Sequence, residues 1–424
     1  MATTNIFMSS FSKNRNGSRN APPQKKETPV SLDVAITDTT DYSKVEIQSW
    51  DDFEIPPAVL RGIYAYGYET PSPIQKKAIY PILNGRDVVG QAQSGTGKTA
   101  TFSIGALSKV DITNKKTQIM ILSPNRELSK QTCKVISTLG SMMEGLVVQN
   151  IVGGTYVEED MAIYSKNIPH IVVGCPGRAY DLIRRRALDA ASLKMIIIDE
   201  ADEMLSIGFK DQLYNIFQNF SQSIQVVLFS ATLPDNIFEI TNHFMKSPVT
   251  ITVKAEQLTL DGISQYFVAL DNDQQKYGTL KDLYSFLSVS QCIIYCNSKA
   301  RVVDLHEAMH ADGFPVCCIH SDMTADERDE SFNKFKIGEA RVLLSTNITA
   351  RGIDIQQVSV VINFDVPRDV HTYLHRIGRS GRWGRKGVGL NFMTRRDVFK
   401  MKEIEEYYTC QINELPGNLE SIMR

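Results

Sequence analysis

The chain lacks several features that mark common classes of protein. It has no apolar run near the roughly 18 residues needed to span a bilayer, and its N-terminus has no apolar secretory core. Its 7 cysteines form no paired Cys-x-x-Cys set, which argues against structural zinc and against a disulfide framework. These absences favour a reduced, intracellular protein without a membrane anchor.

An excess of positive charge is also missing. The 424 residues carry 46 Lys and Arg against 48 Asp and Glu, for a formal net charge of -2. No global field therefore indicates a polyanion partner, and any contact with nucleic acid must be local. The length is too great for one ordinary core and suits two domains with a tail.

The N-terminal segment has a different composition from the rest. Residues 1–30 are rich in Asn, Ser, Lys and Arg, with the pair Pro22-Pro23 and only one acidic residue, Glu27. Such a segment cannot bury enough apolar surface to fold. We therefore predict a disordered basic tail over residues 1–48.

From Trp50 onward, strand-like and helix-like patterns alternate, which is typical of α/β domains. The first series of predicted strands covers residues 87–90, 119–122, 170–173, 196–198 and 225–229, and the second covers 291–295, 316–319, 341–344 and 358–362. Between them, residues 252–262 are polar and lack a clear period, which predicts a linker. The predicted domains are thus 49–251 and 263–424.

A glycine-rich segment follows the first predicted strand. It comprises Ala92 and then Gln93, Ser94, Gly95, Thr96, Gly97, Lys98 and Thr99. A turn of this kind between a strand and a helix aims backbone N–H groups at phosphates, with a lysine charge and a hydroxyl for magnesium. Ala92 departs from the usual glycine, and a flexible surface turn is the alternative.

Two carboxylates follow a later predicted strand. The apolar run 195–198 ends at Asp199 and Glu200. Carboxylates at the end of a parallel strand face the crevice where ligands bind. Asp199 is predicted to hold magnesium, and Glu200 to orient or deprotonate the attacking water. The alternative is that these acidic residues only open the next helix. The lysine turn upstream favours the catalytic interpretation.

Further segments carry a resemblance to a known family. They are residues 67–75 (Gly-Tyr-Glu-Thr-Pro-Ser-Pro-Ile-Gln), 230–232 (Ser-Ala-Thr) and 375–382 (His-Arg-Ile-Gly-Arg-Ser-Gly-Arg). With the two motifs above, they make the chain similar to DEAD-box RNA helicases of superfamily 2 over roughly residues 50–424. Residues 60–67 and 199–206 resemble the translation initiation factor four-A group in particular.

The resemblance implies α/β architecture with two tandem RecA-like domains, each a mostly parallel sheet flanked by helices. It implies ATP and Mg²⁺ as cofactors. Gln75 suits an adenine edge and Tyr68 a purine face, although a helix-surface glutamine and a core-edge tyrosine are the alternatives. Asp354 would contact the ribose.

The same resemblance assigns the arginine-rich segment 376–382 to catalysis. If the domains close on one ATP, Arg379 and Arg382 reach the γ-phosphate and stabilise transition-state charge. His375 would link this segment to the carboxylates of the first domain, with Ser230 and Thr232 in the same coupling role. A solvated basic turn is the alternative interpretation.

By resemblance, RNA is bound through its backbone by residues of both domains. The implied contacts are Pro124, Arg126, Glu127, Gly153, Gly154, Pro176, Gly177 and Arg178 in the first domain, and Asn297, Thr346, Arg351 and Gly352 in the second. A plain turn at Gly153-Gly154 and a surface cap at Arg178 are the alternatives. Backbone contacts predict weak sequence preference and steep salt dependence.

Five positions depart from the family pattern. Cys175 replaces a threonine that precedes Pro-Gly-Arg, Asn125 replaces a threonine, and Asn347 replaces an aspartate near the cleft. Ser321 replaces a glycine and Ala325 a glutamine. The lysine, the carboxylates and the arginines of the ATP site are intact, so we expect ATPase activity.

The sequence thus predicts an ATP-dependent RNA helicase that unwinds short duplexes in translation initiation. The alternative is an ATP-gated RNA clamp that serves as an assembly platform in exon-junction or ribosome-assembly work. A DNA helicase or an unrelated phosphate-loop ATPase is disfavoured by the joint presence of Gln75, the run from Asp199 to Asp202, and Arg379. We expect a cytoplasmic monomer without membrane contact, helped by a scaffold protein that favours closure, with a nuclear location left open.

Overall fold

The computed structural model describes residues 34–37, 46–92, 95–154, 156–206, 208–221, 223–233, 235–253, 263–287, 291–349, 358–380 and 387–417. Within these ranges, strands and helices alternate along the chain as predicted. The strands form two separate sheets, one in each half of the sequence. The expected pair of RecA-like α/β domains is confirmed.

The first sheet has eight strands in the order β1-β8-β2-β7-β6-β3-β5-β4. They are β1 (Val34–Thr37), β2 (Val88–Gln91), β3 (Ile119–Leu122), β4 (Val148–Ile151), β5 (Ile171–Gly174), β6 (Met195–Asp199), β7 (Gln225–Ser230) and β8 (Val249–Val253). Only β1 runs antiparallel to its neighbour. Strands β3, β5, β6 and β7 are buried along their whole length, as expected of parallel strands covered on both faces.

Helices cover both faces of this sheet. They are α1 (Pro57–Ala65), α2 (Pro73–Leu83), α3 (Lys98–Lys109), α4 (Arg126–Leu139), α5 (Val157–Lys166), α6 (Pro176–Arg184), α7 (Ala201–Ser206), α8 (Lys210–Phe217) and α9 (Asp235–Phe244). Along β3, Ile119 and Ile121 enter one core while Met120 and Leu122 enter the other. This alternation follows from the twofold repeat of a strand.

The second sheet is parallel throughout, in the order β11-β12-β10-β13-β14-β9-β15. Its strands are β9 (Ile263–Ala269), β10 (Gln291–Tyr295), β11 (Val316–Ile319), β12 (Val342–Ser345), β13 (Val358–Asn363), β14 (Gly387–Met393) and β15 (Asn413–Glu414). Its helices are α10 (Gln275–Leu287), α11 (Lys299–Ala311), α12 (Ala325–Lys336), α13 (Val370–Ile377) and α14 (Val398–Tyr408).

The topology sends the motif-bearing loops of each domain to one edge of its sheet. In the first domain, the glycine-rich turn follows β2, the acidic pair follows β6, and Ser230 ends β7. The carboxyl ends of parallel strands share an edge, and ligands of open α/β sheets bind there. In the second sheet, the loops after β10 and β12 likewise lie at the carboxyl ends of parallel strands.

The structure corrects the predicted tail and linker. Residues 34–37, inside the segment expected to be disordered, form β1 and pair with β8. Three of these four residues, Val34, Ile36 and Thr37, are β-branched and favour an extended backbone that can extend an open sheet edge. Residues 252 and 253, assigned to the linker, instead complete β8. The rest of the linker, 254–262, lies outside the described residues, and the other domain bounds stay predictions.

Helix length and hydropathy bear on the membrane question. Among the helices of the described ranges, none combines the length and the apolar character that crossing a bilayer requires.

Close packing of α1 on α4 gives a stability prediction. A methyl group at Gly62 would overlap the carbonyl oxygen of Leu139, a backbone atom that cannot swing away, whereas a methyl group at the exposed Gly278 in α10 meets nothing within 4 Å. We expect Gly62→Ala to destabilise its domain by about 1–3 kcal/mol. Gly278→Ala should stabilise by about 0.5–1 kcal/mol. Thermal unfolding measures both, and equal melting temperatures would contradict the packing argument.

Candidate nucleotide and RNA site

The glycine-rich turn leads directly into α3. Gly97 is the N-cap of this helix and has φ 104°, a left-handed conformation that favours glycine. A β-carbon at Gly97 would lie 2.7 Å from Gln75 Nε2, so side-chain bulk is excluded as well. Lys98 is buried and Thr99 is half-buried in the first turn of α3. Gln93 and Ser94 lie outside the described residues.

The segment predicted to read adenine packs against this turn. Ser72 Oγ donates to the carbonyl oxygen of Thr96 at 2.8 Å, and Gln75 Nε2 lies 3.5 Å from the carbonyl oxygen of Gly97. Gln75 Oε1 also accepts from Ser72 N at 2.6 Å, which caps α2. Gln75 is only 4% exposed, so the helix-surface alternative does not hold. Tyr68 stacks on Tyr66 at the edge of the core, and its contact with a purine stays a prediction.

The predicted catalytic carboxylates meet the predicted lysine. Lys98 Nζ and Glu200 Oε1 are 2.9 Å apart, and both side chains are buried. Burial alone would favour the neutral acid, but the charge of Lys98 holds the pKa of Glu200 below its ordinary value. Burial, and then the charge of Glu200, raise the pKa of Asp199. Glu200 has φ 54°, so the strand-to-helix turn is strained at the acidic pair.

Two oxygens of this pair, Asp199 Oδ1 and Glu200 Oε2, are buried and have no hydrogen-bond partner among the described residues. A buried acceptor without a partner is costly, and such groups mark places where a ligand supplies the missing contact. The donor set of one hydroxyl and one carboxylate, Thr99 and Asp199, has the chemistry of a magnesium site that shares its ion with phosphates.

A third carboxylate, that of Asp202, joins the two domains. Asp202 Oδ2 accepts from Thr232 Oγ1 at 2.7 Å and lies 3.2 Å from His375 Nε2. The Asp202 backbone N–H donates to Ser230 Oγ at 3.2 Å. Because the carboxylate is an acceptor, His375 carries its proton on Nε2 in this arrangement. The predicted coupling residues Ser230, Thr232 and His375 therefore converge on Asp202, a carboxylate of the 199–202 motif to which sequence reasoning assigned no role of its own.

Arg379 lies just beyond the end of α13, one turn after His375. Its backbone N–H donates to the carbonyl oxygen of Arg376 at 3.2 Å, and its Nε donates to that of His375 at 3.3 Å. The residue is only 1% exposed, so the alternative of a solvated turn does not hold for Arg379. Arg382 and Asp354 lie outside the described residues.

In the first domain, the predicted RNA residues form one surface near the ends of β3, β4 and β5. Arg126 begins α4, and its guanidinium lies where a side chain at Gly154 (φ 95°) would point. Asn125 caps α4 by accepting from Leu128 N at 2.8 Å, so this departure from threonine preserves the helix cap. Pro124 is buried at the end of β3.

Cys175, Pro176, Gly177 and Arg178 lie at the start of α6. Pro176 occupies the first helical position and Gly177 is exposed. Arg178 pairs with Asp160 of α5, and both side chains are largely buried, so the surface-cap alternative does not hold. Burial raises the pKa of Cys175 to about 12, which keeps its thiol neutral. Sequence reasoning missed Asp160.

Glu127 contacts the second domain. Its Oε1 lies 3.4 Å from Arg328 Nη1, and Arg328 Nη2 donates to the carbonyl oxygen of Ser321 at 2.8 Å. Lys130 and Asp329 form a neighbouring, exposed interdomain pair that contributes little. Sequence reasoning gave Arg328 no role, and nothing in its local pattern marks it as an interdomain residue.

The predicted RNA residues of the second domain follow β10 and β12. Thr346 is half-buried. The Asn297 side chain forms hydrogen bonds within its own domain. Its Oδ1 accepts from Arg376 Nη2 at 2.7 Å, and its Nδ2 donates to the carbonyl oxygen of Val366 at 2.8 Å. A contact between the Asn297 side chain and RNA stays a prediction. Arg351 and Gly352 lie outside the described residues.

The chain is similar to known proteins over most of its length. Residues 72–240 match the DEAD/DEAH box helicase family, and residues 275–384 match the helicase conserved C-terminal domain. The chain is 47% identical to eukaryotic initiation factor 4A of Caenorhabditis elegans, over 93% of this chain and 100% of that protein. It is 49% identical to ATP-dependent RNA helicase eIF4A of Schizosaccharomyces pombe, over 91% and 97%.

A solved structure has the same arrangement of domains. Saccharomyces cerevisiae Dbp5 bound to RNA and ADP BeF3 superposes with a TM-score of 0.81 at 33% identity, covering 88% of this chain and 97% of that one. The chain belongs to the DEAD/DEAH box helicase family. The expected resemblance, the enzyme class and the binding of ATP are confirmed.

Contacts at Asp202 give a testable prediction. Thr232→Val keeps the shape of the side chain but removes the hydroxyl that donates to the buried carboxylate. We expect a loss of about 1–3 kcal/mol in the free energy of unfolding of the first domain, because the acceptor keeps its desolvation cost. Thr232→Ser retains the donor and should remain near wild type in the same denaturant titration. Equal losses for both variants would assign the effect to packing.

Proposed function

We propose that the protein is an ATP-dependent RNA helicase of translation initiation that hydrolyses ATP between its two domains. The observation that carries the proposal is the buried Asp202 carboxylate, which holds Thr232 of the first domain and His375 of the second. In the proposed closed state, the arginine-bearing end of α13 would approach the phosphate turn. The names of the relatives, an initiation factor and an ATP-dependent RNA helicase, support the pathway.

ATP would sit with its adenine near Gln75 and its phosphates on the turn that ends at Gly97. Thr99 and Asp199 fit a magnesium ion that arrives with the triphosphate, since such ions take one or two carboxylates plus phosphate oxygens. In the described part of the chain, no cluster of three or more His, Cys, Asp or Glu could hold a metal without the nucleotide. When bound, the ion neutralises charge on the phosphates.

Each residue of the site would have its own role in hydrolysis. Glu200 orients the attacking water and accepts its proton, and the lowered pKa keeps this group ionised in the ground state. Lys98, now paired with Glu200, would turn its charge to the phosphates when they arrive. Arg379, joined by Arg382, would stabilise charge on the γ-phosphate in the closed state. Hydrolysis therefore depends on closure.

RNA would bind along the surface formed by Arg126, Gly154 and Gly177 and by the loop at Thr346, with Arg178 held against Asp160 at the start of α6. Contacts of this kind reach the backbone and give weak sequence preference. The similarity to Dbp5 bound to RNA and ADP BeF3 supports closure around both ligands. By linkage, RNA and ATP should each tighten the binding of the other.

The proposed domains are 34–253 and 263–424, which extends the first predicted domain, 49–251, to include β1 and the whole of β8. We further propose that the enzyme acts as a cytoplasmic monomer and that a scaffold protein favouring closure stimulates it. The alternative of an RNA clamp in exon-junction or ribosome assembly is not favoured, because the relatives carry initiation-factor and helicase names.

The assignment of Glu200 is tested by Glu200→Gln. The amide keeps the size of the side chain but cannot accept a proton, so RNA-stimulated ATP turnover should fall at least about a hundredfold while ATP still binds. Glu203→Gln, three residues further on and also buried, is the matched control and should retain turnover within a few-fold of wild type. Undiminished turnover in Glu200→Gln would remove this residue from the assigned role.

The RNA surface is tested at two adjacent glycines. Gly154→Ala forces a side chain into a left-handed backbone and onto the guanidinium of Arg126, whereas a β-carbon at Gly153 stays 3.8 Å from the same group. The Kd for single-stranded RNA should therefore rise about tenfold in Gly154→Ala and much less in Gly153→Ala. Fluorescence anisotropy at two salt concentrations measures both. Equal Kd values for the two variants would contradict a role for Arg126 in RNA binding.

A further inference from the structure

Arg376 is a buried arginine whose hydrogen bonds are complete. It lies in α13 between His375 and the turn that holds Arg379, and its exposed fraction is 0%. Its Nη1 donates to Asn363 Oδ1 at 3.1 Å and to the carbonyl oxygen of Asp365 at 2.8 Å. Its Nη2 donates to Asn297 Oδ1 and to Asn347 Oδ1, both at 2.7 Å. Its Nε donates to Asn347 Oδ1 at 2.9 Å.

The five N–H groups thus donate to neutral oxygens, three side-chain amides and one carbonyl. Asn347 is the residue that departs from the aspartate of the family pattern. It accepts two of the five hydrogen bonds, more than any other partner, and it is itself exposed. The guanidinium also lies over the ring of Tyr295, 5.3 Å from its centre. Burial lowers the pKa of Arg376 to about 10, so the group stays charged at neutral pH.

This network connects the loops predicted to bind RNA with the arginine predicted to act on ATP. Asn297 and Asn347 follow β10 and β12, and Asn347 is adjacent to Thr346. On the other side, the carbonyl oxygen of Arg376 accepts from the backbone N–H of Arg379 at 3.2 Å. A shift of the Asn347 loop would therefore be transmitted through the Arg376 side chain to the Arg376 carbonyl oxygen that accepts from Arg379.

We propose that Asn347 is a positioning residue for ATP hydrolysis, which acts through Arg376 to hold Arg379 in place and relays the position of the RNA-facing loop to it. The inference rests on the proposed role of Arg379. The acceptor oxygen, and not the charge, is the property that matters, because an amide and a carboxylate place an oxygen at the same point. Asn347 thus supplies an acceptor oxygen to Arg376 without the charge of the aspartate that is usual in the family.

The experiment compares Asn347→Leu, which removes the acceptor at similar size, with Asn347→Asp, which keeps it. Steady-state ATPase activity is measured in the full chain at saturating RNA. We expect kcat to fall about tenfold in Asn347→Leu with the KM for ATP within about twofold of wild type, and Asn347→Asp to retain wild-type kcat. Gln291→Leu is the stability control, since it removes a buried carboxamide at the opposite end of β10, where Gln291 donates to the carbonyl oxygen of Phe335.

Each outcome decides the proposal. Wild-type kcat in Asn347→Leu, or an equal loss in Gln291→Leu at a matched melting temperature, would overturn it. So would an equal loss of kcat in Asn347→Leu and Asn347→Asp, because the acceptor geometry would then be irrelevant. Arg379→Ala, assayed in parallel, separates the two levels of inference: retained kcat in that variant contradicts the proposed role of Arg379 itself.

Discussion

The shared carboxylate of Asp202 is the contact on which the active arrangement depends. One buried oxygen receives a hydroxyl from the first domain and an imidazole N–H from the second. In a site of low effective dielectric, such a bond is strong when made, and the carboxylate is costly to leave without its partners. The two domains are therefore held in a defined relation at the predicted ATP site. Glu127 and Arg328 add a second interdomain contact nearer the predicted RNA surface.

The pairing of Lys98 with Glu200 has a different character. Both groups are buried, and their attraction offsets a desolvation cost that either would bear alone. The pair holds a cation and a proton acceptor after the carboxyl ends of two strands that β7 separates in the sheet, β2 leading to the glycine-rich turn and β6 leading to Glu200. Under the proposed function, a triphosphate would bring negative charge for Lys98 and leave Glu200 to contact water. In the structure, the two charges compensate each other.

In the second domain, the Arg376 side chain is held by a network of side-chain amides. Arg376 has five donors and no carboxylate among their acceptors, and the network extends from the loops after β10 and β12 to the turn of Arg379. A fully satisfied polar network fixes geometry even where it adds little net stability. This explains how a departure from the family pattern at Asn347 is compatible with an intact site.

Sequence by itself determined the fold class, most of the central strands and the nucleotide motifs. The reason is local: apolar runs predict buried parallel strands, and the groups that bind phosphate or water follow those strands within a few residues, as Lys98 and Asp199 do. It failed where the interaction is not local. Strand β1 was missed because it forms only on the open edge of β8, more than two hundred positions away.

Tertiary structure alone decided which charged residues meet. Asp202 and His375 are 173 positions apart, and Glu127 and Arg328 are 201 apart. Nothing in the local pattern of any of these four side chains specifies its partner, since a carboxylate or an imidazole suits many surroundings equally. These partners are specified only when both domains fold and come together, which brings residues of separate motifs into contact.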